Sequence, residues 1–197
     1  MSDRARRIAI PLAAFVFGLV ALGVAAVLTL TPAGRDVAPS SVGGPFALVD
    51  HHGNPVTEQD FAGSPHLVFF GFTHCPDVCP TKLFEISEIL RHMGDERSDL
   101  RALFSTVEPE RDTPEIMQSY VSSFDERIVG LTGTPEQVAE AVRAYRAYSR
   151  KVPLDGGDYT MEHTAIVYIM DAQGRFITAL DTTRAPEDAA RELLRQI

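Results

Sequence analysis

The chain reads Phe70-Gly71-Phe72-Thr73-His74-Cys75-Pro76-Asp77-Val78-Cys79-Pro80 where an apolar run meets a helical pattern, and this stretch contains its only two cysteines. The run over 66–72 predicts a buried strand, and apolar residues spaced three or four apart after Cys79 predict a helix. Four positions span about one helical turn, so the sulfur atoms of Cys75 and Cys79 can face the same side. They can then bond to each other or bind one soft metal ion.

Hydrophobic periodicity predicts an alternation of strands and helices along the rest of the chain. The predicted elements are a hairpin over 46–57, strands at 66–72, 101–107 and 128–131, helices over 79–94, 114–124 and 135–147, an edge strand at 148–152, a loop at 153–160, a hairpin of 165–170 with 176–180, and a helix over 186–197. This order describes an α/β fold with a mixed sheet. A cysteine pair between the first core strand and its helix is typical of a thioredoxin-like fold, here with an additional N-terminal β-hairpin.

The amino-terminal segment 8–30 is uncharged and almost wholly apolar. A helix that crosses a bilayer needs roughly 20 such residues, whereas the apolar core of a cleaved signal peptide has about 7–15. We therefore predict a single transmembrane helix, with a signal peptide cleaved near 30–33 as the alternative. Arg4, Arg6 and Arg7 precede the segment, and the positive-inside rule then keeps the N-terminus cytoplasmic and exports the remainder.

These patterns divide the chain into a cytoplasmic stub and anchor at 1–30, a linker rich in Pro, Gly, Ala and Ser at 31–45, and a thioredoxin-like domain at 46–197. We expect a protein of the bacterial inner membrane with its soluble domain in the periplasm. Thiols can be oxidised there, so a cysteine pair can act as a redox or metal-binding element. The net charge of −9 makes nucleic acids and anionic lipid surfaces poor partners.

One histidine helps to distinguish the kinds of chemistry open to the cysteines. His163 stands just before the predicted strand at 165–170, whose start abuts the cysteine pair in a thioredoxin-like fold. Thioredoxin-type reductases usually have a cis-proline there, and here the residues are Met161-Glu162-His163-Thr164. An imidazole facing two thiolates makes a site of three soft ligands that suits copper. Zinc in a structural site normally takes a fourth protein ligand, and the chain has no third cysteine.

The other histidines are expected to have structural or surface roles. They are His51 and His52 in a predicted turn, His66 at the start of a strand, His74 beside the first cysteine, and His92 near a helix end. Alternation along an extended chain points His74 away from Cys75. A positive charge on His92 would favour the helix dipole.

The start of a helix is a setting that affects the acidity of thiols. Free N–H groups and a partial positive charge stabilise a thiolate, so we expect a lowered pKa for at least one cysteine, although Asp77 opposes the effect. The two thiols alone are compatible with a structural disulfide, a metal site or thiol–disulfide exchange. In thiol–disulfide exchange, one thiolate attacks a target disulfide and the other resolves the mixed disulfide. A peroxiredoxin-type peroxidase fits less well, because Val68 and Phe72 replace the proline and threonine of its Pro-x-x-x-Thr-x-x-Cys arrangement.

Four ordered segments resemble those of the SCO/SenC copper-chaperone family. They are the cysteine segment 70–81, Glu108-Pro109-Glu110-Arg111-Asp112-Thr113-Pro114, Gly130-Leu131-Thr132-Gly133-Thr134, and Asp158-Tyr159 with His163-Thr164. The resemblance extends over about residues 45–197. It implies a thioredoxin-like fold that binds copper through the positions matching Cys75, Cys79 and His163.

The same resemblance implies a role in assembling the dinuclear copper centre of cytochrome c oxidase, whose copper-receiving subunit would be the partner. Members of the family are expected to deliver copper, to reduce the target's cysteines through the positions of Cys75 and Cys79, or to do both. Two positions depart from the family pattern: Glu108 and Glu162 each stand where the family usually has Asp. Both keep the negative charge and lengthen the side chain by one methylene, which leaves the three implied ligands intact.

Overall fold

A computed structural model of the chain describes residues 42–197 and, before them, position 18 alone. Apart from that position, the predicted transmembrane segment 8–30 lies outside the described residues, as does most of the predicted linker. Within 42–197, no helix is both long and apolar enough to cross a membrane.

Nine strands form two sheets in the described part of the chain. They are β1 (Ala47–Asp50), β2 (Pro55–Thr57), β3 (His66–Gly71), β4 (Arg101–Thr106), β5 (Ile128–Thr132), β6 (Ser149–Pro153), β7 (Tyr159–His163), β8 (Val167–Met170) and β9 (Phe176–Leu180). Seven of them make one mixed sheet in the order β2-β1-β5-β4-β3-β8-β9. The strands β6 and β7 pair with each other in a separate two-stranded sheet.

Within residues 42–197, four α-helices and one short 3₁₀-helix accompany the strands. They are the 3₁₀-helix Glu58–Phe61, α1 (Val78–Met93), α2 (Pro114–Val121), α3 (Pro135–Ala144) and α4 (Pro186–Gln196). The predicted caps are present: Thr113 and Thr134 accept hydrogen bonds from backbone amides in the first turns of α2 and α3. The helix α1 ends at Gly94, whose φ of 56° suits a residue without a Cβ atom.

The centre of the molecule is strand β3, which carries the chain into the cysteine segment. Its six residues are all buried, and it pairs with β4 in parallel and with β8 in antiparallel fashion. The face of α1 that contains Leu83, Ile86 and Leu90 is buried as its spacing predicts. The residues after the carboxyl end of β3 are thereby held at a fixed place beside the start of α1.

The predicted fold is confirmed as a mixed α/β fold of the thioredoxin-like kind. The additional hairpin is also present, since β1 pairs antiparallel with β2 and, on its other edge, with β5.

The segment around residue 155 differs from its prediction. Residues 153–160 were expected to form a loop, but β7 begins at Tyr159, and β6 pairs only with β7 instead of extending the main sheet. The strand β6 corresponds to the edge strand predicted at 148–152, whereas β7 is half-exposed and carries little of the alternation that identifies a strand in sequence. The β6–β7 hairpin ends at His163, so the residue predicted to act as a ligand is the last residue of β7.

Candidate metal centre

The two cysteines lie at the junction between β3 and α1. Cys79 is the second residue of α1 and is wholly buried, whereas Cys75 lies in the preceding loop and is half-buried. The backbone N–H of Cys79 donates a hydrogen bond to the Sγ atom of Cys75 at 3.4 Å. Both thiols are free, so the pair offers two sulfur ligands at the start of one helix.

His163 meets the cysteines from the end of the β6–β7 hairpin. Its Nε2 atom lies 3.5 Å from the Sγ atom of Cys79, and its Nδ1 atom lies 3.1 Å from the carbonyl oxygen of Thr164. A carbonyl oxygen can only accept, so Nδ1 carries the proton and donates it to this contact. The lone pair of Nε2 in the neutral ring is then directed toward the sulfur, which is the tautomer that a metal ligand needs.

Two aromatic rings pack against the imidazole of His163. Phe69 and Phe72 each meet it in an edge-to-face arrangement, with ring centroids 6.2 Å and 5.7 Å away. Both phenylalanines are buried, and their apolar rings support the histidine ring without hydrogen bonding to its nitrogen atoms.

The structure brings the three predicted site residues together. One ligand atom from each of Cys75, Cys79 and His163 lies within 4.8 Å of the others. Two sulfurs and one imidazole nitrogen form a soft donor set, which fits copper better than it fits a hard cation such as Mg²⁺. This arrangement can hold a soft metal ion or exchange thiols with another molecule.

Cys79 is not the easily ionised thiol that was expected of at least one cysteine at this helix start. Burial raises the pKa of Cys79 above its ordinary value, although a backbone hydrogen bond at Phe72 acts in the opposite direction. The favourable field at the start of α1 does not compensate for removing the thiolate from water. Cys79 is therefore a protonated thiol at neutral pH until a metal or a reaction partner replaces the proton.

A cavity of about 500 Å³ lies over the site. Besides Cys75 and His163, its walls include the apolar side chains of Val78, Tyr148 and Met161. Val78 and Tyr148 are also exposed at its rim, so the half-buried sulfur of Cys75 can be reached from solvent across an apolar surface.

Gly71 is a site residue that the sequence did not reveal. A Cβ atom on this residue would lie 2.8 Å from the Sγ atom of Cys79 and 2.6 Å from Cε2 of Phe104. Both distances are shorter than side-chain packing allows, so glycine is required for the buried sulfur to lie against the end of β3.

Asp112 is the second such residue, and it orients the loop that carries Cys75. Its carboxylate accepts hydrogen bonds from the backbone N–H and the hydroxyl of Thr73, at 3.1 Å and 2.6 Å, and from the hydroxyl of Thr106. The side chain is completely buried. The motif that contains Asp112 was visible in the sequence, but its link to Thr73 depends on the parallel pairing of β3 and β4.

Long polar side chains connect the hairpin that carries His163 to the loop after β4. The guanidinium of Arg111 lies 3.9 Å from the centre of the Tyr159 ring, and Lys151 Nζ lies 4.7 Å from the same point. Arg111 also pairs with Asp158 at 2.6 Å, and Lys151 pairs with Glu110. We call Arg111, Tyr159 and Lys151 the hairpin clasp, since these contacts join two segments that are far apart in sequence.

The remaining histidines lie outside the cysteine site. His51 is more than the polar turn residue that was predicted, because its Nδ1 accepts a hydrogen bond from the backbone N–H of Gly130 at 3.0 Å. His66 is buried, and burial lowers its pKa. His74 is half-exposed, with its Nδ1 4.0 Å from a carboxylate oxygen of Asp112, and His92 is exposed in the last turn of α1.

A thioredoxin-like domain with a Cys-x-x-x-Cys pair and a histidine converging on it defines a class of protein that handles soft metals or exchanges thiols. Within that class the chain belongs to the SCO1/SenC family, whose model matches residues 35–197.

Relatives of known sequence agree with this assignment. The chain is 42% identical over 146 residues to the Mus musculus protein named SCO1 homolog, mitochondrial, a match that covers 73% of this chain and 51% of the mouse protein. It is 37% identical over 156 residues to the protein sco1 of Schizosaccharomyces pombe, covering 77% of this chain and 59% of that one. The chain thus spans about half the length of the first of these relatives.

Solved structures show the same fold. Bradyrhizobium japonicum ScoI with copper bound is 52% identical and superimposes with a TM-score of 0.76, covering 79% of this chain and 99% of that one. Yeast Sco1 with copper bound is 35% identical with a TM-score of 0.72, covering 80% of this chain and 88% of the yeast protein.

Proposed function

We propose that this chain is a copper-binding metallochaperone whose ligands are Cys75, Cys79 and His163. The observation that carries the proposal is the convergence of two sulfurs and one imidazole nitrogen within 4.8 Å, on residues from distant parts of the chain. Related proteins with bound copper give it further support. By the family resemblance, the recipient is the copper-receiving subunit of cytochrome c oxidase, during assembly of its dinuclear copper centre.

The residues of the site would act by ligand exchange. Cys75 and Cys79 bind the cargo as thiolates, so each releases its proton, and His163 binds through Nε2 while Thr164 holds the Nδ1 proton. Cys75 is the accessible member, and the thiolates of a partner would replace it first. The apolar rim formed by Val78 and Tyr148 would exclude water from the exchanging ligands during transfer.

We further propose that residues 8–30 anchor the protein in the bacterial inner membrane and that the domain faces the periplasm. The apolar segment and the arginines before it support this orientation. An epitope at the carboxyl terminus should be cut by protease added to spheroplasts, and protection of that epitope would overturn the orientation.

The decisive experiment is an anaerobic titration of the reduced full-length chain with Cu(I). We expect one copper per chain with sulfur-to-copper charge-transfer absorption, and a loss of at least tenfold in affinity in both Cys75→Ser and His163→Ala. The exposed His92→Ala variant is the matched control. Copper binding that is unchanged in His163→Ala, with a normal circular dichroism spectrum, would eliminate the three-ligand site.

A second candidate function is thiol–disulfide exchange with the target's cysteines. It is favoured by the unequal exposure of the pair, because an accessible Cys75 could attack a target disulfide and a buried Cys79 could resolve the mixed disulfide. This chemistry needs no histidine ligand. Reduction of a partner disulfide at an unchanged rate by His163→Ala, together with absent copper binding in the wild type, would assign the chain to this class.

A further inference from the structure

A second group of ligand-bearing side chains lies beside the cysteine loop. His74, Glu108 and Asp112 each place one ligand atom within 4.8 Å of the other two. His74 belongs to the loop before α1, whereas Glu108 and Asp112 belong to the loop after β4. None of the three is part of the cysteine–histidine set.

Glu108 is the member of this group whose carboxylate lacks hydrogen bonds, and Arg111 is its ion-pair partner among the described residues. Glu108 is only 1% exposed, and neither of its carboxylate oxygens has a hydrogen-bond partner among the described residues. Arg111 is near, with Nε 3.3 Å from Oε1, and burial together with the Glu108 carboxylate raises the pKa of the nearby Tyr159. Buried carboxylates normally accept good hydrogen bonds or bind a metal, so the carboxylate of Glu108 is incompletely satisfied by the described residues.

Asp112 adds a second buried negative charge to the same place. All of its hydrogen-bond donors are neutral: the N–H and hydroxyl of Thr73 and the hydroxyl of Thr106. Among the described residues, the guanidinium of Arg111 pairs with Glu108, and no lysine or arginine pairs with Asp112. A bound cation would compensate the remaining negative charge where burial makes it most costly.

We propose that His74, Glu108 and Asp112 form a binding site for a divalent cation of borderline character, with Zn²⁺ as its representative. One imidazole nitrogen and two carboxylate oxygens are ligands that zinc takes, and three protein ligands leave a coordination position for water. The His74 side chain is 52% exposed and gives the ion a path from solvent. This donor set contains no sulfur, so its chemistry is harder than that of the thiol site.

Glu108 is one methylene longer than the residue usual at its position. The family pattern usually has Asp at this position, and the additional methylene carries the carboxylate further from the backbone of the loop after β4. A cation held there would join that loop to the loop of His74 and Cys75, in parallel with the hydrogen bonds from Thr73 to Asp112.

The test uses the full-length chain with Cys75→Ser and Cys79→Ser, because Zn²⁺ also binds thiolates. Zn²⁺ is titrated in competition with a chromophoric chelator. We expect one Zn²⁺ per chain, and we expect His74→Ala and Glu108→Gln each to weaken binding at least tenfold. The exposed residues His92 and Glu126 supply the matched controls His92→Ala and Glu126→Gln, which should leave the affinity unchanged.

Absence of Zn²⁺ binding, or binding that neither His74→Ala nor Glu108→Gln weakens, overturns the proposal. Equal losses in the controls also overturn it, because they indicate general surface binding. Circular dichroism checks the fold of each variant. Since His74 is exposed, its variant keeps the test decisive even where Glu108→Gln fails to fold.

Discussion

The Nε2 atom of His163 lies 3.5 Å from the Sγ atom of Cys79, although 84 positions separate the two residues in the sequence. The contact joins the end of the β6–β7 hairpin to the first turn of α1. Because the proton on Nδ1 is held by the Thr164 carbonyl, the free lone pair of the histidine faces the buried sulfur. This relationship turns a cysteine pair into a site with three converging soft ligands.

The two cysteines should differ in reactivity. In the reduced, metal-free chain, a limiting amount of iodoacetamide should modify Cys75 well before Cys79, because Cys79 is wholly buried and burial raises its pKa. Peptide mass spectrometry would give the order of modification. Both thiols should react at similar rates in denaturant, and faster modification of Cys79 in the native chain would contradict the arrangement.

Copper affinity should increase with pH. The pKa of Cys79 is raised above its ordinary value of 9.0, so below that pH the thiol must release a proton when it becomes a ligand. One released proton corresponds to about a tenfold gain in affinity per pH unit, and we expect at least this slope between about pH 6 and pH 8. Competition titrations at several pH values would measure it, with Cys79→Ser giving a shallower slope. A flat profile would show that Cys79 does not bind as a thiolate.

Loosening the hairpin clasp should weaken copper binding from a distance. Tyr159→Leu removes the ring that both Arg111 and Lys151 contact, at about 0.5–1 kcal/mol for each exposed cation–π pair. If that energy orders the hairpin that carries His163, copper affinity should fall roughly 5- to 30-fold. Arg150→Gln breaks the exposed pair with Glu162 on the same hairpin and is the control. Equal affinity in wild type and Tyr159→Leu would make the clasp irrelevant to the site.

A methyl group on Gly71 should damage both stability and the site. Gly71→Ala forces its Cβ against Cys79 Sγ and the Phe104 ring, and overpacking of this kind costs about 1–3 kcal/mol. Thermal unfolding of the metal-free chain would measure the loss of stability, and copper affinity should fall with it. Gly130→Ala is the control, because its Cβ would lie no closer than 3.2 Å to the side chains around it. Comparable stability of the two variants would refute the close approach at Gly71.

Much of the fold follows from local pattern. The sequence predicted the buried strand before the cysteines and the apolar face of α1, which contains Leu83, Ile86 and Leu90. It also predicted the helix caps at Thr113 and Thr134. The element that the sequence did not predict is β7, which is stabilised by pairing with β6 and by the clasp. The pattern of buried residues predicted the edge strand β6 but gave no signal for β7, because that strand is hardly buried.

The sequence by itself determined the fold class and the place of Cys75 and Cys79 at a strand–helix junction, because periodicity and caps act between near neighbours. Through family resemblance it also singled out His163. Only the tertiary structure decided that Cys79 is buried and hard to ionise, that Gly71 must lack a side chain, and that Glu108 and Asp112 meet His74. Each of these depends on contacts between segments far apart in the chain, which form only when β3, β4 and the β6–β7 hairpin are assembled.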